Sequence, residues 1–286
     1  MPTGTLFVVA TPLGNLEDVT PRALATLTRA AIVACEDTRR TRGLLAHFGI
    51  RPPRLVSCHR FNERRQLETL LAALRSGDDV ALVSDGGTPG VSDPGAVAVR
   101  AALEEGLPVS PIPGPSAVAA ALSVCGREAS TFVFAGFLPA RSSPRRRALE
   151  SLHDETRTLV FYEAPHRVAE SVADMAAILG DRPVTLAREL TKLHEEVRRT
   201  TLRELAGDLA ARRPLGEFTL VVDGASGAAT IAEGAAATPA GLRRRYAELL
   251  EAGTDRAEAL KRLVKETGLP RKEVYAAVRS GGGSDE

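Results

Sequence analysis

The sequence predicts an α/β protein of two αβ domains followed by a small C-terminal helical module. Three observations support this fold class. Short apolar runs alternate with helical patterns along most of the 286 residues; a stretch of almost only Gly, Ala, Ser, Thr and Glu follows; and a basic segment with helical periodicity comes last. The expected boundaries are 1–115 and 116–224 for the αβ domains, 225–238 for a flexible linker, 239–280 for the helical module and 281–286 for a disordered tail.

In the first αβ domain, five apolar runs predict strands and the segments between them predict helices. The expected strands are Leu6–Ala10, Ala31–Ala34, Arg54–Ser57, Val80–Ser84 and Val109–Ile112, and the expected helices lie near Thr20–Arg29, Thr38–Phe48, Asn62–Ser76 and Pro94–Glu105. Thr20 before Pro21 is a typical helix start, and Gly49, Gly77 and Gly106 stand where helices would end. This alternation predicts a largely parallel sheet with helices on both faces and ligands outside the carboxyl ends of its strands.

The second αβ domain repeats the alternation less regularly. Its expected strands are Thr131–Ala135, Thr158–Tyr162, Val184–Ala187 and Phe218–Val222, and its expected helices lie near Arg145–His153, Pro165–Leu179 and Leu202–Arg212. After the linker, the segment 257–275 fits a helix–turn–helix in which Gly268 makes the turn and Pro270 begins the second helix. For this module, nucleic-acid contact and protein docking or dimer capping are both open.

Composition limits the classes of partner and site. The formal net charge is only +1, yet residues 239–280 carry ten Lys and Arg against six Asp and Glu, which fits a polyanionic partner. Three widely spaced cysteines without a C-x-x-C pair and five scattered histidines argue against disulfides or zinc, so we expect no metal. Without an apolar run of transmembrane length or a charged-then-apolar leader, we expect a cytoplasmic protein with no membrane partner.

The loop Val83–Gly95 is the most informative segment. It follows an apolar run, holds four glycines and precedes a helical pattern that Pro94 can begin. Glycine allows a positive φ and a close approach of the backbone to a ligand. The loop lacks the lysine of G-x-x-x-x-G-K-[ST] and the spacing of G-x-G-x-x-G. We therefore expect a ligand held by backbone groups and small polar side chains rather than a polyphosphate; a tight turn without a ligand is the alternative.

Four further loops that are polar or rich in Gly and Pro follow predicted strands. They are Val9–Asp18, Cys35–Arg39, Ser57–Glu63 and Pro113–Ala117. Any one of them alone can be a turn with a helix cap. Because the carboxyl ends of parallel strands share one edge of the sheet, we expect the loops to meet there. The sequence therefore predicts a binding site at this edge.

The loops also resemble those of a known family. The segments ATPLGNLEDVTPRAL, ACEDTRRT, SCHRFNE, SDGGTPGVSDPG, PIPGPSA, FYEAPHR, ARELTK and GEFTLVV are similar in order and spacing to the tetrapyrrole methylase superfamily, and within it to enzymes that methylate a cytidine 2′-hydroxyl in 16S ribosomal RNA. The resemblance runs from about Thr5 to Val222, and the helical tail resembles the helix–turn–helix extension of those enzymes. It implies two αβ domains with S-adenosylmethionine (SAM) in the cleft between them, usually a homodimer, and as RNA partner the decoding region of 16S rRNA in the small ribosomal subunit.

The resemblance further implies which residues bind SAM. They are Asp85, Gly86, Gly87, Thr88, Val91, Ser116, Ala117, Tyr162, Glu163, Glu189, Leu190, Gly216 and Glu217. SAM carries a sulfonium and no phosphate, so main-chain carbonyls and apolar walls suit it better than a lysine-bearing loop. The chain departs from the family pattern at Cys58, where an aromatic residue is expected, and at Gly86, where alanine is expected.

Catalytic and substrate-binding residues are expected at the same strand exits. Methyl transfer to a hydroxyl needs in-line alignment, worth up to about 7–11 kcal/mol, and removal of a proton, for which a positioned base gives only about 10²–10⁴-fold. The catalytic candidates are Asp37, His59, Asn62 and Glu63, with Asp18 and Glu36 as further possible bases. The candidates for RNA binding are Asn15, Asp18, Arg39, Arg60 and Arg64.

Structural roles compete with the catalytic ones. His59 can be a hydrogen-bonding loop residue, Glu63 can cap a helix, and Asp37 can cap a helix or pair with Arg39.

Two other functions stay open. A superfamily member can instead methylate a tetrapyrrole or a protein side chain, although the basic tail and the arginines at the strand exits argue against this. A nucleic-acid-binding regulator, with an αβ body that only senses a ligand, is an alternative of another class.

Overall fold

The computed structural model describes residues 2–59, 62–127, 129–211, 214–225, 239–251, 253–267 and 269–279. They belong to two compact units, Met1–Gly224 and Ala225–Glu286. The first unit, called the body below, contains two five-stranded sheets, and the second contains helices. The predicted α/β class with C-terminal helices is confirmed. None of the described helices is both long and apolar enough to cross a bilayer.

The first sheet of the body is entirely parallel. Its strands are β1 (Leu6–Val9), β2 (Ile32–Cys35), β3 (Arg54–Ser57), β4 (Val80–Val83) and β5 (Val109–Ile112), in the order β3-β2-β4-β1-β5. In register, Leu6 lies opposite Val80 on one side and Val109 on the other. Every residue of β2 and β4 is buried, which explains why both strands read as unbroken apolar runs. The predicted parallel sheet is confirmed.

Helices cover both faces of this sheet. They are α1 (Pro21–Arg29), α2 (Thr38–His47), α3 (Glu63–Arg75) and α4 (Ala96–Glu104). One core cluster joins α3 and α4 to one set of alternating strand residues, and a second cluster joins α1 and α2 to the other set. Thr20 caps α1 by accepting a hydrogen bond from the Ala23 amide at 3.1 Å. The glycines predicted to end helices have φ values of 68°, 98° and 69°, the left-handed conformation typical of that position.

The second sheet is mixed. Helix α5 (Ala117–Val124) comes before it, and the strands and helices that follow are β6 (Phe132–Phe137), α6 (Ser142–Glu150), β7 (Thr158–Glu163), α7 (Val168–Leu179), β8 (Pro183–Arg188), β9 (Glu196–Thr201), α8 (Leu202–Ala211) and β10 (Phe218–Val222). The order is β6-β7-β10-β8-β9, in which β6 and β7 alone pair in parallel. Helices α6, α7 and α8 pack on one face, and α5 packs on the other.

Two elements of this half were not predicted. Strand β9 is an edge strand with arginines at two of its six positions, so it lacks an apolar period. Helix α5 consists of small and apolar residues without a polar face, so its sequence shows no helical period. Helix α6 also begins three residues earlier than predicted, at Ser142.

The C-terminal unit contains the helices α9 (Pro239–Glu251), α10 (Arg256–Thr267) and α11 (Arg271–Arg279) around a small apolar core. Asp255 caps α10 by accepting hydrogen bonds from the amides of Ala257 and Glu258 at 2.9 and 3.0 Å. The two predicted helices are therefore present, and α9 packs against both. The predicted turn at Gly268, residues 226–238 of the linker and the tail 281–286 lie outside the described residues.

Candidate active site

The strand-exit loops of the first sheet do meet at one edge. The Thr11 amide donates to the Gly87 carbonyl and the Gly87 amide donates to the Thr11 carbonyl, both at 2.9 Å. The Thr88 hydroxyl donates to the Pro115 carbonyl at 3.3 Å. On the other side, the Asp37 amide donates to a carboxylate oxygen of Asp85 at 3.0 Å. The loops after β1, β2, β4 and β5 are therefore connected by direct hydrogen bonds.

The two adjacent glycines of the β4 loop are needed for different reasons. Gly87 has φ 88°, and a Cβ there would lie 3.3 Å from Cδ2 of Leu13. Gly86 has no left-handed φ, and a Cβ there would meet the Pro12 carbonyl oxygen at 3.2 Å, so alanine needs only a small shift. The Gly87 amide and carbonyl are occupied by Thr11. At this position the backbone stabilises the loop itself.

A cavity of about 400 Å³ lies between the two sheets. We call it the central cavity. The residues that line it are Leu13, Gly86, Gly87, Thr88, Val91, Asp93, Ser116, Ala117, Phe137, Tyr162, Glu163, Ala164, Pro165, His166, Glu217, Phe218 and Thr219. Nine of these are among the residues that the family resemblance implies for SAM: Gly86, Gly87, Thr88, Val91, Ser116, Ala117, Tyr162, Glu163 and Glu217.

The other four residues implied for SAM lie outside the cavity lining. Asp85 pairs with Arg40 at 3.6 Å as well as with the Asp37 amide. One carboxylate oxygen of Glu189 accepts from Lys192 Nζ and from the Glu217 amide, both at 2.9 Å. Gly216 has φ 89°, and a Cβ there would overlap the Glu189 side chain. Leu190 packs against the core under α5. Glu189 and Gly216 thus fix the segment that carries Glu217.

One lysine connects the two halves of the body beside the cavity. Lys192 pairs with Glu189 at 2.9 Å and with Glu217 at 3.0 Å. Its aliphatic stem lies against Gly14, where a Cβ would overlap the Lys192 Cγ. Nearby, the Asn15 amide donates to the Thr191 hydroxyl at 3.1 Å. The loop after β1 is therefore held directly against the loop after β8.

Eight lining residues were missed by the sequence-based prediction: Leu13, Asp93, Phe137, Ala164, Pro165, His166, Phe218 and Thr219. All but one lie inside the segments that carry the family resemblance, so a signal for them was present in the sequence. Phe137 is the exception, since it ends β6 outside any such segment. It reaches the site by packing edge-on against Tyr162, with ring centroids 5.5 Å apart.

The cavity is aromatic and acidic in character. Burial raises the pKa of Tyr162 to about 12, and its hydroxyl bonds to the Val118 backbone. Burial also raises the pKa of Asp93 to about 6; neighbouring Glu36 acts in the same direction, and a hydrogen bond with Ser84 opposes it. Glu163 is 2% exposed and is held by the Ser171 hydroxyl at 2.7 Å and by Arg167 at 3.3 Å. Among the described residues, no lysine or arginine lines this cavity.

A second, more polar pocket of about 420 Å³ lies at the exits of β2 and β3. It is lined by Glu36, Asp37, Thr38, Arg39, Ser57, His59 and Asp85, so it brings together two predicted catalytic residues and one predicted RNA-binding residue. Burial raises the pKa of Glu36; nearby Asp85 raises it further and His59 lowers it.

Three of the predicted catalytic residues make well-defined structural contacts. Asp37 caps α2 at the Arg39 amide, 2.8 Å away, and forms a two-pronged pair with the Arg39 guanidinium at 3.1 and 2.7 Å, which holds the pKa of Asp37 well below its usual range. Asn62 accepts from the His59 amide at 2.7 Å and donates to the Ser57 carbonyl at 3.1 Å. Glu63 accepts from the Gly95 amide at 3.3 Å. These contacts position the loops; a catalytic role for these residues stays a prediction.

Four of the five predicted RNA-binding residues lie on the exposed surface. Asn15 caps the short 3₁₀ helix Leu16–Asp18 by accepting from the Glu17 amide at 3.1 Å. Asp18 and Arg64 are exposed, and the Arg39 side chain is 85% exposed. Arg60 lies outside the described residues. Within the described part of the chain, no group of three or more His, Cys, Asp or Glu is placed to hold a metal ion.

Residues 5–206 match the family described as tetrapyrrole (corrin/porphyrin) methylases. The chain therefore belongs to the tetrapyrrole methylase family. Solved structures agree on the fold: cobalt precorrin-4 methyltransferase is 20% identical with a TM-score of 0.58, covering 76% of this chain and 94% of that one. Uroporphyrin-III-C-methyltransferase from Thermus thermophilus is 23% identical with a TM-score of 0.54, covering 76% of this chain and 94% of that one.

Within the family, much more similar proteins share the name ribosomal RNA small subunit methyltransferase I. The Xylella fastidiosa protein is 48% identical over 95% of this chain and 98% of its own length. The Synechocystis protein is 44% identical over 95% of this chain and 96% of its own length. The Thermotoga maritima protein is 45% identical over 77% of this chain and 99% of its own length. The match to the Thermotoga maritima protein leaves part of this chain uncovered. The number of uncovered residues is about the same as the number of residues in the C-terminal unit.

Proposed function

We propose that this protein transfers the methyl group of SAM to the 2′-hydroxyl of a cytidine in the decoding region of 16S rRNA, within the small ribosomal subunit. Its similarity along nearly its whole length to proteins named ribosomal RNA small subunit methyltransferase I is the observation that carries the proposal. A ribosomal substrate is found in the cytoplasm, which supports that compartment. A homodimer is what the resemblance to the family implies.

The central cavity fits SAM in size and chemistry. Its volume of about 400 Å³ suits a ligand of this size, and its walls combine aromatic rings with a few polar groups. The absence of lysine and arginine from the described lining suits a cation better than a phosphate. Thr88, Ser116, Ala117 and Tyr162 are the residues that would hold it. SAM, when bound, supplies a methyl group activated by a sulfonium.

The residues of the polar pocket have two tasks toward the ribose: to align its hydroxyl and to take up its proton. His59 lies in this pocket with Glu36 and Asp85, and its imidazole is the group that we propose as the proton acceptor. The Asp37–Arg39 pair and the two hydrogen bonds of Asn62 fix the pocket edge. Alignment of the hydroxyl contributes more to the rate than a single base does. We therefore expect loss of these positioning contacts to lower the rate as much as loss of His59.

Exposed arginines at the same edge offer contacts to the RNA backbone. The side chains of Arg39 and Arg40 are 85% and 64% exposed, next to the polar pocket. Guanidinium groups bind phosphates well, and the reactive ribose cannot enter without its phosphates. RNA readers generally bind such a nucleotide when it is splayed out of its helix. The basic helical segment 239–280, with ten Lys and Arg against six Asp and Glu, adds further positive charge for the same partner.

The proposal is tested by incubating the purified protein with tritiated SAM and one of three acceptors: small ribosomal subunits, uroporphyrinogen, or a ribosomal protein mixture. We expect label in the RNA of the subunits and, on mapping, a single ribose-methylated cytidine. Label in uroporphyrinogen or protein, with none in RNA, would show that the chain serves another reaction of its family. Tight SAM binding without transfer to any acceptor would favour a ligand-sensing regulator.

A further inference from the structure

We propose that the Asp93 carboxylate is the counter-charge for the sulfonium of SAM in the central cavity, so that the protein distinguishes SAM from its demethylated product, S-adenosylhomocysteine (SAH), by charge. This inference rests on the proposed function, because it assumes that SAM is the ligand of the cavity. It concerns a residue that was not among the expected SAM-binding positions.

The backbone before Asp93 is built to bring this residue to the cavity. Ser92 has φ 65°, a left-handed conformation that is costly for a residue other than glycine. Opposite it, Gly136 lies at the bulge of β6 with φ 63°, and a Cβ there would be 2.7 Å from the Ser92 hydroxyl oxygen. A glycine in the second half of the body therefore makes room for the strained turn in the first half. Asp93, the next residue, lines the cavity.

The charges around Asp93 leave its carboxylate without a cation. The charged groups that act most strongly on it are Glu36 after β2, Asp85 after β4 and Glu217 before β10, all of them acidic, and it also acts on the Tyr162 phenol. His166 lines the same cavity and forms no ion pair with Asp93 among the described contacts. Ser84 gives it a hydrogen bond. No ion pair joins it to a basic side chain within the part of the chain that the structure describes. A half-buried carboxylate in such surroundings is destabilised, and a positive charge beside it would relieve this.

The other two carboxyl groups of the cavity differ in this respect. Glu163 pairs with Arg167 at 3.3 Å, and Glu217 pairs with Lys192 at 3.0 Å. Glu163 is thus paired with its own arginine, and Glu217 shares Lys192 with Glu189. Of the three acids, Asp93 alone forms no ion pair with a basic side chain of the described residues.

A sulfonium matches this requirement better than an ammonium. It is a permanent cation that donates no conventional hydrogen bond, so it can approach Asp93 without competing for the bond from Ser84. Transfer removes this charge: the bond from sulfur to the methyl carbon breaks and its electron pair stays on sulfur, the bond from the ribose oxygen to that carbon forms, and the hydroxyl proton passes to a base of the polar pocket. The product is a neutral thioether, which loses the attraction to Asp93 and leaves the cavity more easily.

The test is calorimetric titration of the full-length protein with SAM and with SAH. In Asp93→Asn, we expect SAM affinity to fall roughly tenfold and SAH affinity to change less than about threefold. Asp208→Asn in α8 serves as the control, because it removes a carboxylate that already pairs with Arg198 and does not line the cavity; both affinities should stay as in the unmodified protein.

The unmodified protein provides a second readout that needs no variant. Since the pKa of Asp93 is about 6, the carboxyl must lose its proton to pair with the sulfonium. SAM binding at pH 6 should release about half a proton, and SAM affinity should fall about tenfold between pH 7.5 and 5. SAH binding should show neither effect. In Asp93→Asn, both effects should disappear.

Three results would overturn the assignment. Equal loss of SAM and SAH affinity in Asp93→Asn would place Asp93 at the ammonium that both ligands share. Unchanged affinities and no proton release would leave it without a role in binding. An Asp93→Asn protein that is saturated with SAM but transfers no methyl would assign Asp93 to proton removal. A protein that binds neither ligand would instead overturn the proposed function and, with it, this inference.

Discussion

The two halves of the body form the central cavity in different ways. In the first sheet all strands are parallel, so their carboxyl ends share one edge and the loops after β1 and β4 reach the cavity directly. In the second sheet β10 runs antiparallel to β7, with Phe218 opposite Glu163 and Thr219 opposite Tyr162. The end of β7 and the start of its neighbour β10 thus form one wall of the cavity. The first wall depends on backbone conformation, and the second depends on side chains set by strand register.

The largest effect is expected from breaking the backbone-determined wall. Gly87→Ala places a Cβ at φ 88° and disturbs the two hydrogen bonds to Thr11. We expect a loss of about 1–3 kcal/mol in the free energy of unfolding and a loss of roughly tenfold or more in SAM affinity. Urea denaturation and calorimetry measure the two quantities.

Gly86→Ala is the matched control for this loop. Its Cβ would lie 3.2 Å from the Pro12 carbonyl oxygen and at ordinary contact distance from the Leu13 backbone, without a left-handed φ, so we expect a change below about 1 kcal/mol and near-normal SAM affinity. Equal effects of the two substitutions would show that the loop is not held by the conformation of Gly87.

The second wall is tested by Gly216→Ala. The new Cβ overlaps the Glu189 side chain, whose displacement would break its bonds to Lys192 and to the Glu217 amide. We expect a severalfold loss of SAM affinity and a stability loss of about 1–2 kcal/mol. Gly207→Ala in α8 is the control, because nothing lies within 4 Å of its Cβ; this change should be neutral or stabilise by about 0.5–1 kcal/mol. Normal SAM affinity in Gly216→Ala would show that the contacts of Glu189 do not shape the cavity wall.

A smaller effect is expected at the polar pocket of the first half. Asp37→Asn keeps a good helix cap but loses the charged pair with Arg39, so we expect only a small stability loss at pH 7. The pKa of Asp37 is lowered in the folded state, so its contribution is present above the unfolded pKa near 3.8 and declines as the pH falls below it. Urea unfolding of both proteins at pH 7, 4 and 3 should show the difference shrinking; a difference that grows with acid contradicts the pairing.

The smallest effect on SAM is expected from removing the C-terminal unit. The Thermotoga maritima relative is matched over 99% of its own length by only 77% of this chain. The body is also a compact unit of its own. A chain ending at Gly224 should bind SAM within about twofold of the full protein, while its KM for ribosomal subunits rises and becomes less sensitive to salt. Loss of SAM binding on truncation would mean that the two halves of the body are not sufficient.

Sequence reasoning predicted the first half well because its signals are local. The strands β2 and β4 are buried on both faces and appear as apolar runs, and Thr20 caps α1 as its position indicates. In the second half, β9 was missed because an edge strand needs no apolar alternation.

The candidate site was predicted less evenly, because its details depend on distant contacts. The polarity of Asn62 and Glu63 at a strand exit predicts chemistry, yet both side chains bond to neighbouring backbone groups. Asp93 lies within the most informative loop but was not singled out, because its place in the cavity depends on the turn at Ser92 and on the room left by Gly136. No pattern in the sequence connects residues 92 and 136.

Lys192 makes the two halves mechanically dependent on each other. Its stem lies on Gly14, in the loop where RNA is expected, and its ammonium holds Glu217 in the cavity wall. We expect a movement of the first loop to shift the lysine, and with it the part of the cavity wall that Glu217 forms. If RNA binds at this loop and SAM in the cavity, as proposed, each changes the binding free energy of the other by the same amount, and the two substrates should bind cooperatively.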